Sequence, residues 1–282
     1  MIILQNDKCK VKISEVGAEL KSMFCDAAEY IWQSCDEIWN SSSPLLFPIC
    51  GGLKDDKYKY NGKEYVLPKH GFGRNVKFIT EYVDNEKVIL THKSNDTTKL
   101  SFPFDYELRI IYTLKEKSIS VVYQVDNVSQ GVMYFSIGAH EGYYTPEGIE
   151  DYDVIFPKAE TLNSYILYGN ILSDQTIPII RESTVLPLYE KYFTIGAMVF
   201  KDLQSKSAIL RNRKNGKAIK LDFDFAPYFL IWHKPNAPYI CLEPWDGLPD
   251  TVESDSDIAK KEGIIHLDKG QSYRAEHTIT IL

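Results

Sequence analysis

The chain has 282 residues, with 32 Lys and Arg against 39 Asp and Glu, a formal charge of −7. At 44% apolar and 25% charged residues it has a globular composition and enough length to bury a core without staples. The acidic balance argues against a nucleic-acid surface, which needs clustered Lys and Arg, and no run reaches the ~18–20 apolar residues of a membrane span.

Met1–Lys10 opens with four apolar residues and turns charged at once, unlike a secretory leader with its basic start and longer apolar run. The five cysteines (Cys9, Cys25, Cys35, Cys50 and Cys241) are odd in number and include no C-x-x-C pair. They read as reduced thiols of a cytoplasmic protein. No Cys/His set has metal-ligand spacing, so no structural zinc is expected.

Short alternating segments follow one another along the chain. Tyr58–Tyr60 and Lys63–Leu67 flank Asn61-Gly62, the pair that supplies the positive φ angles of a two-residue hairpin. Lys77–Val83 and Val88–His92 form a second pair, and Glu107–Leu114 and Ile119–Val125 a third. Ala208–Arg211 and Ala218–Phe223 flank Asn215-Gly216. Tyr, Val, Ile and Phe fill these runs, as half-buried pleated surfaces favour. The best helix candidate is short, Ser254–Lys261 before Gly263. With no linker, repeat or βαβ pattern, the reading is one all-β sandwich domain spanning residues 1–282.

Nucleotide and serine-hydrolase motifs are missing: there is no P-loop, no G-x-G-x-x-G after a strand and no G-x-S-x-G. The carboxylate pairs Asp55-Asp56, Asp222/Asp224 and Asp255/Asp257 read as solvated turns or strand edges. Among the histidines, His92, His266 and His277 read as structural, and His233 as structural or on a rim. His70 sits in Leu67–Arg74, where Pro68 and two glycines make an irregular loop that should expose it to a ligand. His140 ends the nearly apolar Met133–His140, with Gly138 two positions earlier, a sign of close backbone approach. Either a core or a catalytic role fits it. Glu243 ends the apolar run Tyr239–Leu242 before Pro244 and Trp245. It is either salt-bridged or tuned for proton transfer.

At these residues the sequence resembles the aldose 1-epimerase (galactose mutarotase) family, within it the bacterial branch that contains the LacX-type proteins. The likeness rests on ordered segments: Ile13–Ser22, Ser43–Gly51, Lys69–Asn75, Phe135–His140, Ile231–Pro235 with Cys241–Gly247, and Glu262–Gln271. It implies a large antiparallel β-sandwich and interconversion of α and β anomers of a hexose, with a small-molecule sugar as partner and no metal or cofactor. By position, His140 matches the family's general acid and Glu243 its general base. His70 matches a second substrate-contacting histidine, and Arg74, Trp232 and Trp245 match cleft-lining positions. A carboxylate near His140 is expected to favour its protonated form, giving an acidic limb from Glu243 and an alkaline limb from His140.

Two positions depart from the family pattern. Gly52 stands where relatives commonly carry a sugar-holding arginine, and Gly196 where they carry an aspartate. The departures imply weak binding of free hexoses and vacated room, and Gly52→Arg is expected to restore a contact. They also keep two alternatives open. One is a non-catalytic carbohydrate-binding or regulatory protein on the same fold. The other is a hexose-6-phosphate 1-epimerase using Arg74 and Lys69.

Overall fold

Hydrogen-bonded β-ladders dominate the computed structural model, which describes all 282 residues. Every ladder in it is antiparallel. The largest sheet has 14 strands. Its path starts at Ile137–Gly138 and passes through Tyr239–Asp246, Tyr228–Trp232, Met198–Phe200 and Tyr152–Tyr168. It continues through Ser207–Asn212, Ala218–Asp222, Ser272–Ile281, Ser118–Asn127, Tyr106–Lys115 and Lys87–Lys93 to Ile79–Val83. A four-stranded sheet is built from residues 2–29. This is the expected all-β fold with a large antiparallel sandwich.

Alternation decides which face is buried. In Tyr106–Lys115 the residues Tyr106, Leu108, Ile110, Tyr112 and Leu114 are all buried, and Ile119, Val121, Tyr123 and Val125 repeat the pattern on the neighbouring strand. Period 2 puts each set on one face, and together they help form a core cluster of 56 buried residues.

The four hairpins read from the sequence are present, with ends moved by one or two residues. Three features differ from the sequence reading. Ser254–Lys261 contains only one 3₁₀ turn, Ile258–Lys260, because Lys59 N–H bonds to the Ser256 carbonyl and holds the segment extended against the Tyr58 hairpin. Residues 152–187, not assigned from sequence, form a hairpin of two 17-residue strands, Tyr152–Tyr168 and Ile171–Pro187. Cys9 and Cys25 are not free thiols: the register of Cys9–Ile13 against Leu20–Cys25 sets them directly opposite, Cα atoms 4.4 Å apart, and they form a disulfide. No helix is long and apolar enough to cross a membrane.

Cys35, Cys50 and Cys241 remain free. Thiol titration of the denatured, unreduced protein should therefore count three thiols; a count of five would refute the bond. Closing a loop of this size should contribute ~3 kcal/mol, so Cys9→Ser with Cys25→Ser should lower the thermal midpoint measurably.

Candidate active site

The site begins with strand register. Ile137–Gly138 and Glu141–Tyr144 both pair with Tyr239–Asp246, as Ile137 with Asp246, Gly138 with Trp245 and Glu141 with Leu242. The frame is continuous across the gap, so His140 falls opposite Glu243 and Ala139 opposite Pro244. Proline has no N–H to give, yet the strand runs on through Pro244 to Asp246. Its carbonyl still accepts from Ala139 N–H at 3.1 Å. Gly138 is required: a Cβ there would lie 2.6 Å from Trp245 Cδ1. This close approach seats the Trp245 indole, whose Nε1 donates to the Ala139 carbonyl at 3.0 Å.

Opposed residues of an antiparallel pair share a face. His140 Nε2 accordingly lies 3.4 Å from Glu243 Oε2, with the side chains 11% and 2% exposed. Neither His140 Nδ1 nor Glu243 Oε2 has a hydrogen-bond partner. Burial pushes the Glu243 carboxyl well above the ordinary carboxylate range, Lys69 offsets part of that, and the Glu141 carboxylate adds to it. His140 is held down to about 3, by burial first and then by the cations of Lys69 and Arg74. The expected tilt toward a protonated His140 is thus reversed, because desolvation and two cations outweigh one carboxylate.

His70 is buried, not exposed as the loop sequence suggested, and adopts φ +68°. Its Nδ1 accepts from Gly51 N–H at 3.1 Å, which leaves the proton on Nε2. Burial, then His140, Lys69 and Arg74, keep its pKa well below the ordinary imidazole value. His70 is therefore a neutral donor. Its ring centroid lies 5.6 Å from that of His140 and 5.5 Å from that of Trp245.

His70, Arg74, His140, Trp232, Glu243 and Trp245 all line one cavity of about 260 Å³. That is just under the ~300–1,000 Å³ that drug-sized ligands fill, and suits a single sugar ring. Lys69 stands at its rim, and Arg74 Nη2 donates to the Lys69 carbonyl at 2.9 Å. Several lining residues escaped the sequence reading, among them Trp39, Leu167 and Asn170. Trp39 packs 5.3 Å from His140 and 5.5 Å from Trp232; only its aromatic type could have hinted at a sugar wall. Leu167 and Asn170 come from the unassigned hairpin. His233 lies outside the cavity, bonded to the Tyr239 carbonyl and the Glu190 carboxylate. His277 is buried on the core face, where its Nε2 meets Glu141 Oε1 at 2.9 Å. The one donor set that could approach a metal here is His140, Cys241 and Glu243, within 4.8 Å of one another. Burial and the two nearby carboxylates hold the Cys241 thiol protonated, which makes it a poor ligand.

The two departures differ physically. Gly196 lines the cavity with room beside it, the nearest atom to a Cβ being Leu167 Cδ1 at 3.8 Å. The space at Gly52 is filled, not vacated: a Cβ would lie 2.6 Å from Asn170 Cβ and 2.8 Å from its carbonyl oxygen. Gly52→Arg therefore cannot restore a contact without displacing the hairpin.

Comparison with known proteins gives the family and the fold. The family pattern described as aldose 1-epimerase matches residues 1–280. The plasmid and chromosomal LacX proteins of Lactococcus lactis subsp. lactis are each 33% identical over 297 aligned positions, covering 100% of this chain and 99% of theirs. A galactose mutarotase-related enzyme from Lactobacillus acidophilus superposes with a TM-score of 0.93 at 31% identity, covering 100% of this chain and 97% of that one. A galactose mutarotase-like protein from Lactobacillus casei ATCC 334 gives 0.94 at 30%, with both chains covered in full. The chain belongs to the aldose 1-epimerase family.

Proposed function

We propose that the protein interconverts the α and β anomers of a hexose, with His140 and Glu243 as its acid–base pair. The observation that carries this reading is their 3.4 Å approach within a buried cavity. O1 and O5 of a pyranose are both bonded to C1, so groups that serve them must be near neighbours. In ring opening, the Glu243 carboxylate takes the proton of O1–H and the O1 lone pair forms the C1=O1 bond. The C1–O5 bond breaks, and its electron pair takes a proton from the His140 imidazolium. Rotation about C1–C2 and the reverse steps give the other anomer. His70 Nε2–H offers a hydrogen bond to a ring or hydroxyl oxygen, and Trp39, Trp232 and Trp245 offer ring faces to the sugar's C–H groups.

The pair carries one proton throughout. Before ring opening it sits on His140, afterwards on Glu243. The environment of the free site favours the second arrangement, the one suited to closing the open chain. Transfer from Oε2 to Nε2 across their 3.4 Å separation restores the first.

A second reading concerns substrate charge. Lys69 and Arg74 both line the cavity, so a hexose phosphate could place its dianion beside them. Anomer exchange followed by NMR with glucose, galactose and glucose 6-phosphate tests both readings. No exchange with any aldose, despite binding, would favour the non-catalytic alternative.

His140→Ala and Glu243→Gln should each slow exchange by about 10²-fold or more. Near-parental rates in both folded variants would remove the pair from the mechanism.

The pH profile follows from the shifts. The one-proton state is lost when a second proton binds, and His140, held down to about 3, resists that until strongly acid pH. It is lost again when its single proton leaves, and burial of Glu243 delays this beyond the ordinary carboxylate range. The limbs belong to the pair, not to single residues. Measured kcat/KM should show no acid limb near pH 6.5; one centred there would mean an ordinary imidazole and contradict the assignment.

A further inference from the structure

The long hairpin ends in a two-residue turn, Gly169-Asn170, between Tyr152–Tyr168 and Ile171–Pro187. Gly169 has φ +61° while Asn170 stays in the ordinary negative region, the pattern of a II′ turn with glycine first. Most hairpin tips project into solvent. This one is fastened into the cavity wall. Gly52 N–H donates to the Asn170 carbonyl at 3.2 Å, and Leu172 N–H donates to the Asp250 carbonyl at 2.7 Å. Leu172 itself is wholly buried, in the same apolar cluster as Leu230 and Trp245 of the cavity. Asp250 is fixed in turn by the buried Lys261, 3.0 Å away, and by Lys54 N–H.

The tip can occupy this position because residue 52 is glycine. Its Cβ and the Asn170 Cβ and carbonyl would claim the same space, at 2.6 and 2.8 Å. The missing side chain at 52 and the inserted hairpin are thus one feature. It sets Asn170 in the cavity wall, and a carboxamide offers one acceptor and two donors, a match for a pair of neighbouring sugar hydroxyls.

We propose that Asn170 is a sugar-binding, specificity-determining residue of this site, carried by the hairpin tip into the space left open by Gly52. The inference rests on the epimerase reading above. It makes Asn170 a contact for hydroxyls remote from the bonds that break, so it acts on binding more than on the chemical step.

The test compares the parent with Asn170→Ala, Asn170→Asp and Gly52→Ala. Anomer exchange gives kcat and KM for glucose and galactose, and calorimetry gives Kd for glucose and its singly deoxygenated analogues. Thermal melting checks the fold of each variant. Asn170→Ala should raise KM and Kd about fivefold, the loss of ~1 kcal/mol of hydrogen bonding, with a much smaller change in kcat. The penalty should vanish for the analogue lacking the contacted hydroxyl. Asn170→Asp keeps the turn preference and an acceptor but no amide donor, so it should recover part of the binding. Gly52→Ala should weaken binding at least as much by displacing the tip, and adding Asn170→Ala to it should cost little more.

An equal penalty for every deoxy analogue would make Asn170 only a turn former and overturn the proposal. So would no penalty at all in a parent that turns over hexoses, leaving the epimerase reading intact. A parent that neither binds nor exchanges any of these sugars would overturn both.

Discussion

The site depends on one register. Because segment 137–144 and strand Tyr239–Asp246 stay in a single frame on both sides of Ala139-His140, His140 is set opposite Glu243. A slip of one residue would turn every side chain to the other face. Glu141 and Leu242 would then face the cavity, and His140 and Glu243, the proposed acid–base pair, would lie in the core. The close packing of Gly138 under Trp245 helps fix that frame, so the residue that looks least chemical in the segment holds the site's geometry.

Burial then sets the electrostatics. Two ionisable groups held together away from water carry one proton between them more readily than two charges. Lys69 and Arg74 at the rim oppose protonation of His140, while Glu141 on the core face opposes ionisation of Glu243. The pair is thereby kept near net neutrality, as suits the proposed proton exchange with a neutral sugar. His70 enters as a pure donor because Gly51 N–H engages its other nitrogen.

Local signals made much of this readable in advance. Asn-Gly turns and period-2 alternation identified four hairpins, and the strand contexts of Gly138, His140 and Glu243 pointed to the site before any geometry was known. The long hairpin escaped because its alternation is broken. Pro157 and Pro178 interrupt the strands, the ladder shifts register at several points, and many of its residues face solvent. His70 was misjudged because a glycine-flanked loop can fold inward as well as outward. The Cys9–Cys25 bond was missed because pairing depends on the register of two strands, which spacing in the sequence does not reveal. Trp39 and Asn170 reach the cavity through tertiary packing alone.

The anchoring of the hairpin also bears on how a ligand gets in. Lifting the tip would uncover Leu172, worth ~1.5–3 kcal/mol, and break backbone bonds to Gly52, Asp250 and Val252. The tip is therefore a wall, not a door. Under the proposed function, a sugar would therefore reach His140 and Glu243 without this tip lifting. The amides of Gly52, Leu172 and Val252 are all hydrogen-bonded at the anchor and should exchange slowly with solvent, although the turn beside them lies at the surface.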